Sequence, residues 1–140
     1  YTWDPTARRH SIGGIRSLAF SPDGKTLAVG GMGKVGNIDH LGGKARLRIF
    51  DWEHGETLAE LETDKVKGLV ERIQWAADGS YLVGMGGDNK GMSLIVKAGD
   101  WKITAEKAAP FHVHDFTLDE AEKRVYAVGH NHLGLFELAS

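Results

Sequence analysis

The sequence predicts an all-β fold: three four-stranded antiparallel sheets stacked as β-propeller blades, with strands running d-abc-d-abc-d-abc along the chain. Three observations carry this prediction. A strand, turn, strand phrase occurs three times and aligns without gaps. Each copy then passes through a polar or Gly-rich loop into a further apolar strand. Glycine is abundant at 19 residues and proline scarce at 3, which favours tight turns between short strands over Pro-rich linkers.

The first phrase is an a strand over 15–20, the turn Ser21-Pro22-Asp23-Gly24-Lys25, and a b strand over 26–31. Its Pro-Asp-Gly cluster carries the turn chemistry, Pro presetting φ and Gly accepting a left-handed conformation. The phrase returns over 70–75, 76–80 and 81–86, and again over 113–118, 119–123 and 124–129. The c strands are expected over 47–52, 92–97 and 133–138, with matching centres at Ile49-Phe50-Asp51, Leu94-Ile95-Val96 and Leu135-Phe136-Glu137. Outer d strands are expected over 57–62 and 101–105. The spacing from Trp75 to Leu118 falls in the propeller range of roughly 40–45 residues. The spacing from Phe20 to Trp75 is longer, and its excess lies between Met32 and Arg46. Insertions of this kind map to an exposed, often functional face. One segment over 1–140 is expected, with blade units of about 8–62, 63–107 and 108–140.

With Ser21-Pro22-Asp23-Gly24-Lys25, the following Leu27-Ala28-Val29-Gly30-Gly31, and Phe50-Asp51 in place of Trp-Asp, the chain resembles the WD40-repeat family, in a degenerate form. The family's Trp is replaced by Phe50, Ile95 and Phe136, and its Asp is kept only as Asp51. Its structural His before the first strand matches only His10, with Lys65 and Ala108 at the comparable places. The resemblance therefore implies that hydrophobic packing between blades, more than the family's buried hydrogen-bond tetrad, holds this fold. It also implies an overlapping closure. Joining the ends on paper places Ile15 nearly as far beyond Leu138 as Val70 lies beyond Trp52, so residues 1–7, with Tyr1 to Thr6 at their core, are read as a d strand for the last blade. The missing initiator Met points to a processed chain or a fragment of a longer one. Ring closure by identical subunits, of six or nine blades, is the expected assembly, with an excised part of a larger propeller as the main alternative.

Composition narrows the function. Seventeen basic against 19 acidic residues leave a formal charge of -2, with no Lys/Arg footprint for a phosphate backbone, so no nucleic-acid partner is expected. No apolar run reaches the length of a spanning helix, so no membrane partner is expected. The absence of cysteine excludes disulfides, thiolate metal sites and a Cys nucleophile, and fits either redox compartment.

Gly31-Met32-Gly33-Lys34-Val35-Gly36 matches GxGxxG, but no helical periodicity follows to place a helix N-terminus at a pyrophosphate. The glycines are read as loop residues instead. Lys34, Asn37, Asp39, His40, Lys44 and Arg46 make this loop the candidate partner contact. His112 and His114 are two apart in an expected strand, as are His130 and His132, and imidazoles at that spacing chelate zinc, copper or nickel. A closed site wants three or four ligands, and only Asp115 and Asn131 lie nearby in sequence. The four histidines are therefore read as a polar surface edge, with no metal and no cofactor expected. Ser21, Ser80 and Ser93 lack a local base, and no catalytic motif is present. Trp3, Trp52, Trp75, Trp101, Phe50, Phe111, Phe116 and Phe136 are read as core. The expectation is a non-catalytic scaffold binding a protein or peptide; the alternatives are a metal- or ligand-binding propeller, enzymatic or not, using the histidines, and an excised fragment of a larger protein of the WD40 type.

Overall fold

The computed structural model describes residues 14–33 and 43–138. Among them are eleven strands and no helix: β1 (Gly14–Phe20), β2 (Thr26–Met32), β3 (Lys44–Asp51), β4 (Glu56–Lys67), β5 (Leu69–Trp75), β6 (Tyr81–Gly87), β7 (Gly91–Lys97), β8 (Lys102–Ala109), β9 (Asp115–Asp119), β10 (Arg124–Gly129) and β11 (His132–Glu137). They form antiparallel meanders in the orders β1-β2-β3-β4, β5-β6-β7-β8 and β9-β10-β11. The all-β blades predicted from the repeat are present, as sheets of four, four and three strands. Residues 1–7, expected to supply the closing d strand, lie outside the described residues, as does His10.

The a–b turns follow their sequences. Gly24 and Gly79 both sit at φ 74°, where a side chain is strained. Asp23 accepts hydrogen bonds from the Ser21 hydroxyl at 2.6 Å and the Lys25 N–H at 3.0 Å. In the second copy Asp78 accepts from the Ser80 hydroxyl at 2.6 Å and its N–H at 2.9 Å. Donation to the ionised form, foremost from the serine hydroxyls, holds both carboxyls below the usual carboxylate range. The third copy has no glycine there, and Lys123 takes the left-handed conformation at φ 52°.

Strand alternation sends alternate residues of each sheet to opposite faces, and the blades stack through them. One face of the first sheet (Ala28, Ala45, Leu47, Ile49) packs on Val70, Ile73, Trp75, Leu82, Leu94 and Val96 of the second. The second sheet's opposite face meets the third through Val83, Met85, Phe111, Val113, Phe116, Val125 and Ala127. The first interface needs small groups: a Cβ on Gly30 would lie 2.6 Å from Ser17 Oγ and 2.8 Å from a Val70 methyl. The Ser17 hydroxyl donates to the Val70 carbonyl at 2.9 Å, and the Trp75 indole N–H donates to the Ala19 carbonyl at 3.1 Å. Both bonds cross between blades.

The outermost faces lack such a neighbour among the described residues. Ile15, Leu18, Phe20 and Trp52 are exposed on the first sheet, and Tyr126, Val128, Leu133 and Leu135 on the third. Leu18 and Phe20 are the repeat equivalents of Ile73 and Trp75, and Tyr126 and Val128 those of Val83 and Met85. All four equivalents are buried in the middle blade. Trp52, read as core from its repeat position, is instead 58% exposed and meets Phe20 edge-on at 5.4 Å, because its face points away from the only blade packed on that sheet among the described residues.

The strands of the first blade reach further than the sequence implied. Lys44 and Arg46, assigned to the loop, belong to β3, and β4 runs to Lys67. The reason is cross-strand charge: Arg46 and Arg48 project between buried Ala45, Leu47 and Ile49, and pair with Glu60 and Glu62 on β4. The basic character of Arg46 reads as a loop only until its acidic partners are seen opposite.

Leu47 is fully buried in the first interface, so Leu47→Ala is expected to lower stability by about 2–5 kcal/mol through lost burial and an unfilled cavity. Chemical denaturation followed by circular dichroism measures it, and a loss below about 1 kcal/mol would show that the interface is loosely packed.

Candidate functional site at the inner strands

The a strands β1, β5 and β9 neighbour one another, β5 packing against both others. In the first two, the pairing with the b strand is interrupted by one extra residue. Arg16 falls between the pairs Ile15↔Gly31 and Ser17↔Gly30, and Glu71 between Val70↔Gly86 and Arg72↔Met85. A bulge of this kind re-aims the extra side chain. His114 is the repeat equivalent in the third copy, just before β9, where its N–H donates to the Val128 carbonyl at 2.8 Å. Arg16, Glu71 and His114 thus mark one polar position repeated in successive blades.

Glu71 joins that position across blades. Its Oε2 accepts from Arg16 Nε at 3.1 Å, and its Oε1 lies 3.1 Å from His112 Nε2. The His112 side chain is 8% exposed and that of Glu71 14%, so a titratable pair is largely shielded from water where the three blades meet. Arg72 and Asp115 make a second contact between blades at 3.1 Å, fully in solvent's reach.

The histidines converge at this place. The rings of His112 and His114 are 5.0 Å apart, those of His112 and His130 5.3 Å, and those of His114 and His130 4.8 Å. One nitrogen from each of the three lies within 4.8 Å of the other two. Local backbone chemistry explains the convergence. A Cβ on Gly129 would come within 1.8 Å of the His112 carbonyl oxygen, so only glycine lets β10 approach the segment ahead of β9 this closely. The two-residue hairpin then turns at His130 and Asn131, at φ 29° and 63°. Positive φ at both central positions matches the turn to the strand twist, though a histidine there is uncommon. His132 stacks on Phe111, with ring centroids 5.2 Å apart, and its Nδ1 lies 2.7 Å from the His130 carbonyl, which fixes the turn without joining the cluster.

The two sequence pairs are therefore regrouped. His112 and His114 precede β9 instead of lying within a strand, His112 is buried instead of on the surface, and the third imidazole comes from His130 alone. Asp115 pairs with Arg72, away from the role of neighbouring ligand. Glu71 went unnoticed, since 41 residues separate it from His112. Of the candidate contact loop, Lys34, Asn37, Asp39 and His40 lie outside the described residues, while Lys44 and Arg46 are in β3. The Ser21 and Ser80 hydroxyls are taken up by Asp23 and Asp78. Asp51, the retained acidic position of the repeat, holds its own turn by accepting from the His54 N–H at 3.0 Å and contacting His54 Nδ1 at 2.9 Å. That contact draws the His54 pKa up and the Asp51 pKa down.

Glu71→Ala would strip partners from both a buried imidazole and Arg16. A loss of about 1–3 kcal/mol is expected in denaturant unfolding, with Glu71→Gln costing less. Equal stability of wild type and Glu71→Ala would show that the contact between blades is dispensable.

No family model matches the chain. Among solved structures it is similar to the crystal structure of RRP9 WD40 repeats, with a TM-score of 0.66 over 94% of this chain and 37% of that chain. At 17% identity the likeness concerns the fold alone, which is WD40-type β-propeller. Among curated proteins it is similar to Protein HIR1 of Gibberella zeae, 30% identical over 125 residues, and to Protein hir-1 of Neurospora crassa, 29% identical over 127 residues. Each alignment takes in 81% of this chain, which spans 11% and 12% of those relatives' lengths.

Proposed function

We propose that the chain is a non-catalytic protein- or peptide-binding unit of WD40 type, offering a partner the end of the blades where the b–c and d–a connections meet. The observation that carries this reading is the division of labour between surfaces. The facing sheet faces are spent on stacking, whereas imidazoles that depart from the repeat gather at that one end. His112, His114 and His130 replace Leu69, Glu71 and Gly87 there, and the long b–c connection of the first blade emerges there too. Gly43, at the close of that connection, accepts a hydrogen bond from the Gly68 N–H at 2.9 Å, which ties this residue to the d–a connection of the next blade. A photo-cross-linking residue at Asn89, exposed between β6 and β7, is expected to capture a discrete partner from cell extract. The same probe at Asp100, in the β7–β8 turn at the opposite end, is expected to capture none. Equal capture at both ends, or at neither, contradicts the reading.

A second feature favours assembly. The exposed faces of the first and third sheets carry residues whose equivalents are buried in the middle blade, and the outer edge of β11 borders a groove of about 370 Å³ walled by Ile95, Ala105, Leu135 and Leu138. On this reading copies stack head to tail, and Tyr1 to Thr6 of one copy adds a fourth strand at β11. Light scattering is expected to give a closed oligomer that deletion of Tyr1 to Thr6 breaks. A monodisperse 15.3 kDa monomer, with or without those residues, contradicts it.

A further inference from the structure

We propose that His112, His114 and His130 form a binding site for a divalent transition-metal ion of the zinc type, with Glu71 orienting His112. The inference is independent of the partner-binding reading. Imidazole nitrogens are the preferred protein donors for zinc, copper and nickel, and here three converge from two chain segments. A tetrahedral ion with metal–nitrogen bonds near 2.0–2.1 Å needs nitrogens about 3.4 Å apart. The present limit of 4.8 Å closes by rotation of His114 and His130, both exposed, toward His112, which is buried and held.

Three features lie outside what the fold requires. First, the equivalents of these histidines in the second blade are Leu69, Glu71 and Gly87, so the repeat itself asks for no imidazole at any of the three places. Second, His112 Nε2 faces the Glu71 carboxylate at 3.1 Å. Metal-ligating histidines commonly keep a carboxylate on one ring nitrogen, which fixes tautomer and orientation, and Nδ1 then remains to coordinate. Arg16 in turn holds Glu71 at 3.1 Å, so the first blade positions a ligand carried by the third. Third, His130 occupies a turn position at φ 29°, where Asn, Asp or Gly would be easier. Unusual backbone of this kind persists where the surroundings enforce it and gathers at ligand clamps. Three imidazoles leave one tetrahedral position to a water molecule.

The test is titration of the whole 140-residue chain with Zn²⁺ alone, in competition with a chromophoric chelator, alongside Co²⁺ absorption as a report of four-coordinate geometry. One ion per chain is expected, with a Kd in the micromolar range or tighter and tetrahedral Co²⁺ bands. His114→Ala and His130→Ala, both at exposed side chains, should each weaken zinc by at least about tenfold while leaving the circular dichroism spectrum unchanged, and Glu71→Gln by about tenfold. His54→Ala, in the β3–β4 turn of the first blade and away from the cluster, should leave the affinity as in wild type. Binding weaker than millimolar overturns the proposal. So does a tight site that survives His114→Ala and His130→Ala, or one that falls equally with His54→Ala.

Discussion

Stacking of one sheet face on the next is the constraint on which the rest of this structure depends. A four-stranded sheet of this size cannot bury its own apolar side chains, so each blade is stable only through its neighbour. The middle blade is buried on both faces, by Ala28, Ala45, Leu47 and Ile49 of the first sheet on one side and by Phe111, Phe116 and Val125 on the other. Burial of groups such as Leu47, Leu82 and Leu94 contributes about 1.5–3 kcal/mol each. The polar bonds between blades, from Ser17 and Trp75, set the register of that contact more than its strength. Asp51 is spent on its own turn.

The same stacking decides where chemistry can appear. Between neighbouring blades the faces are closed by stacking, and polar groups are left to the end of the blades and the inner strands. There a bulge repeated in register aims Arg16 and Glu71 out of their sheets, and His114 stands at the equivalent place. Because neighbouring blades bring these positions together, a carboxylate from the second blade reaches a guanidinium of the first and an imidazole of the third. Gly129, required by the close approach of the His112 carbonyl, draws the β10–β11 hairpin onto the same spot. The cluster is thus a product of packing between repeats that differ at a few positions.

Most of the fold is legible from local signals. The Pro22-Asp23-Gly24 turn and the alternation of residues such as Leu27, Val29 and Ile49 are short-range patterns, and β10 matches its expected residues, 124–129. Strand ends were harder to read. Arg46 looks like a loop residue until Glu60 and Glu62 are placed opposite, which is a cross-strand fact. The histidine site was legible only in part. His112 and His114 are conspicuous as a pair, but neither the third donor nor Glu71 is adjacent in sequence, and their meeting depends on blade-to-blade packing. A signal was nonetheless present: in the gap-free alignment of copies, Arg16, Glu71 and His114 stand in one column, each followed by a second polar residue (Ser17, Arg72, Asp115), a doublet that interrupts the alternation of the inner strand. A repeated interruption marks a bulge, and positions at bulges are where repeats are free to diverge. Trp52 shows the converse, since its repeat position resembles core but its face has no blade packed on it among the described residues.

Native-state hydrogen exchange tests most directly the claim that stacking between blades holds the fold together, because amide protection reports the free energy of local opening. The slowest amides are predicted in the strands that carry both apolar clusters, at Leu47 of β3, Leu82 and Val83 of β6, and Leu94 of β7. Those of β11, whose apolar side chains Leu133 and Leu135 face outward, are predicted to exchange much faster. Uniform protection across all eleven strands, or protection of β11 equal to that of β6, would contradict this account.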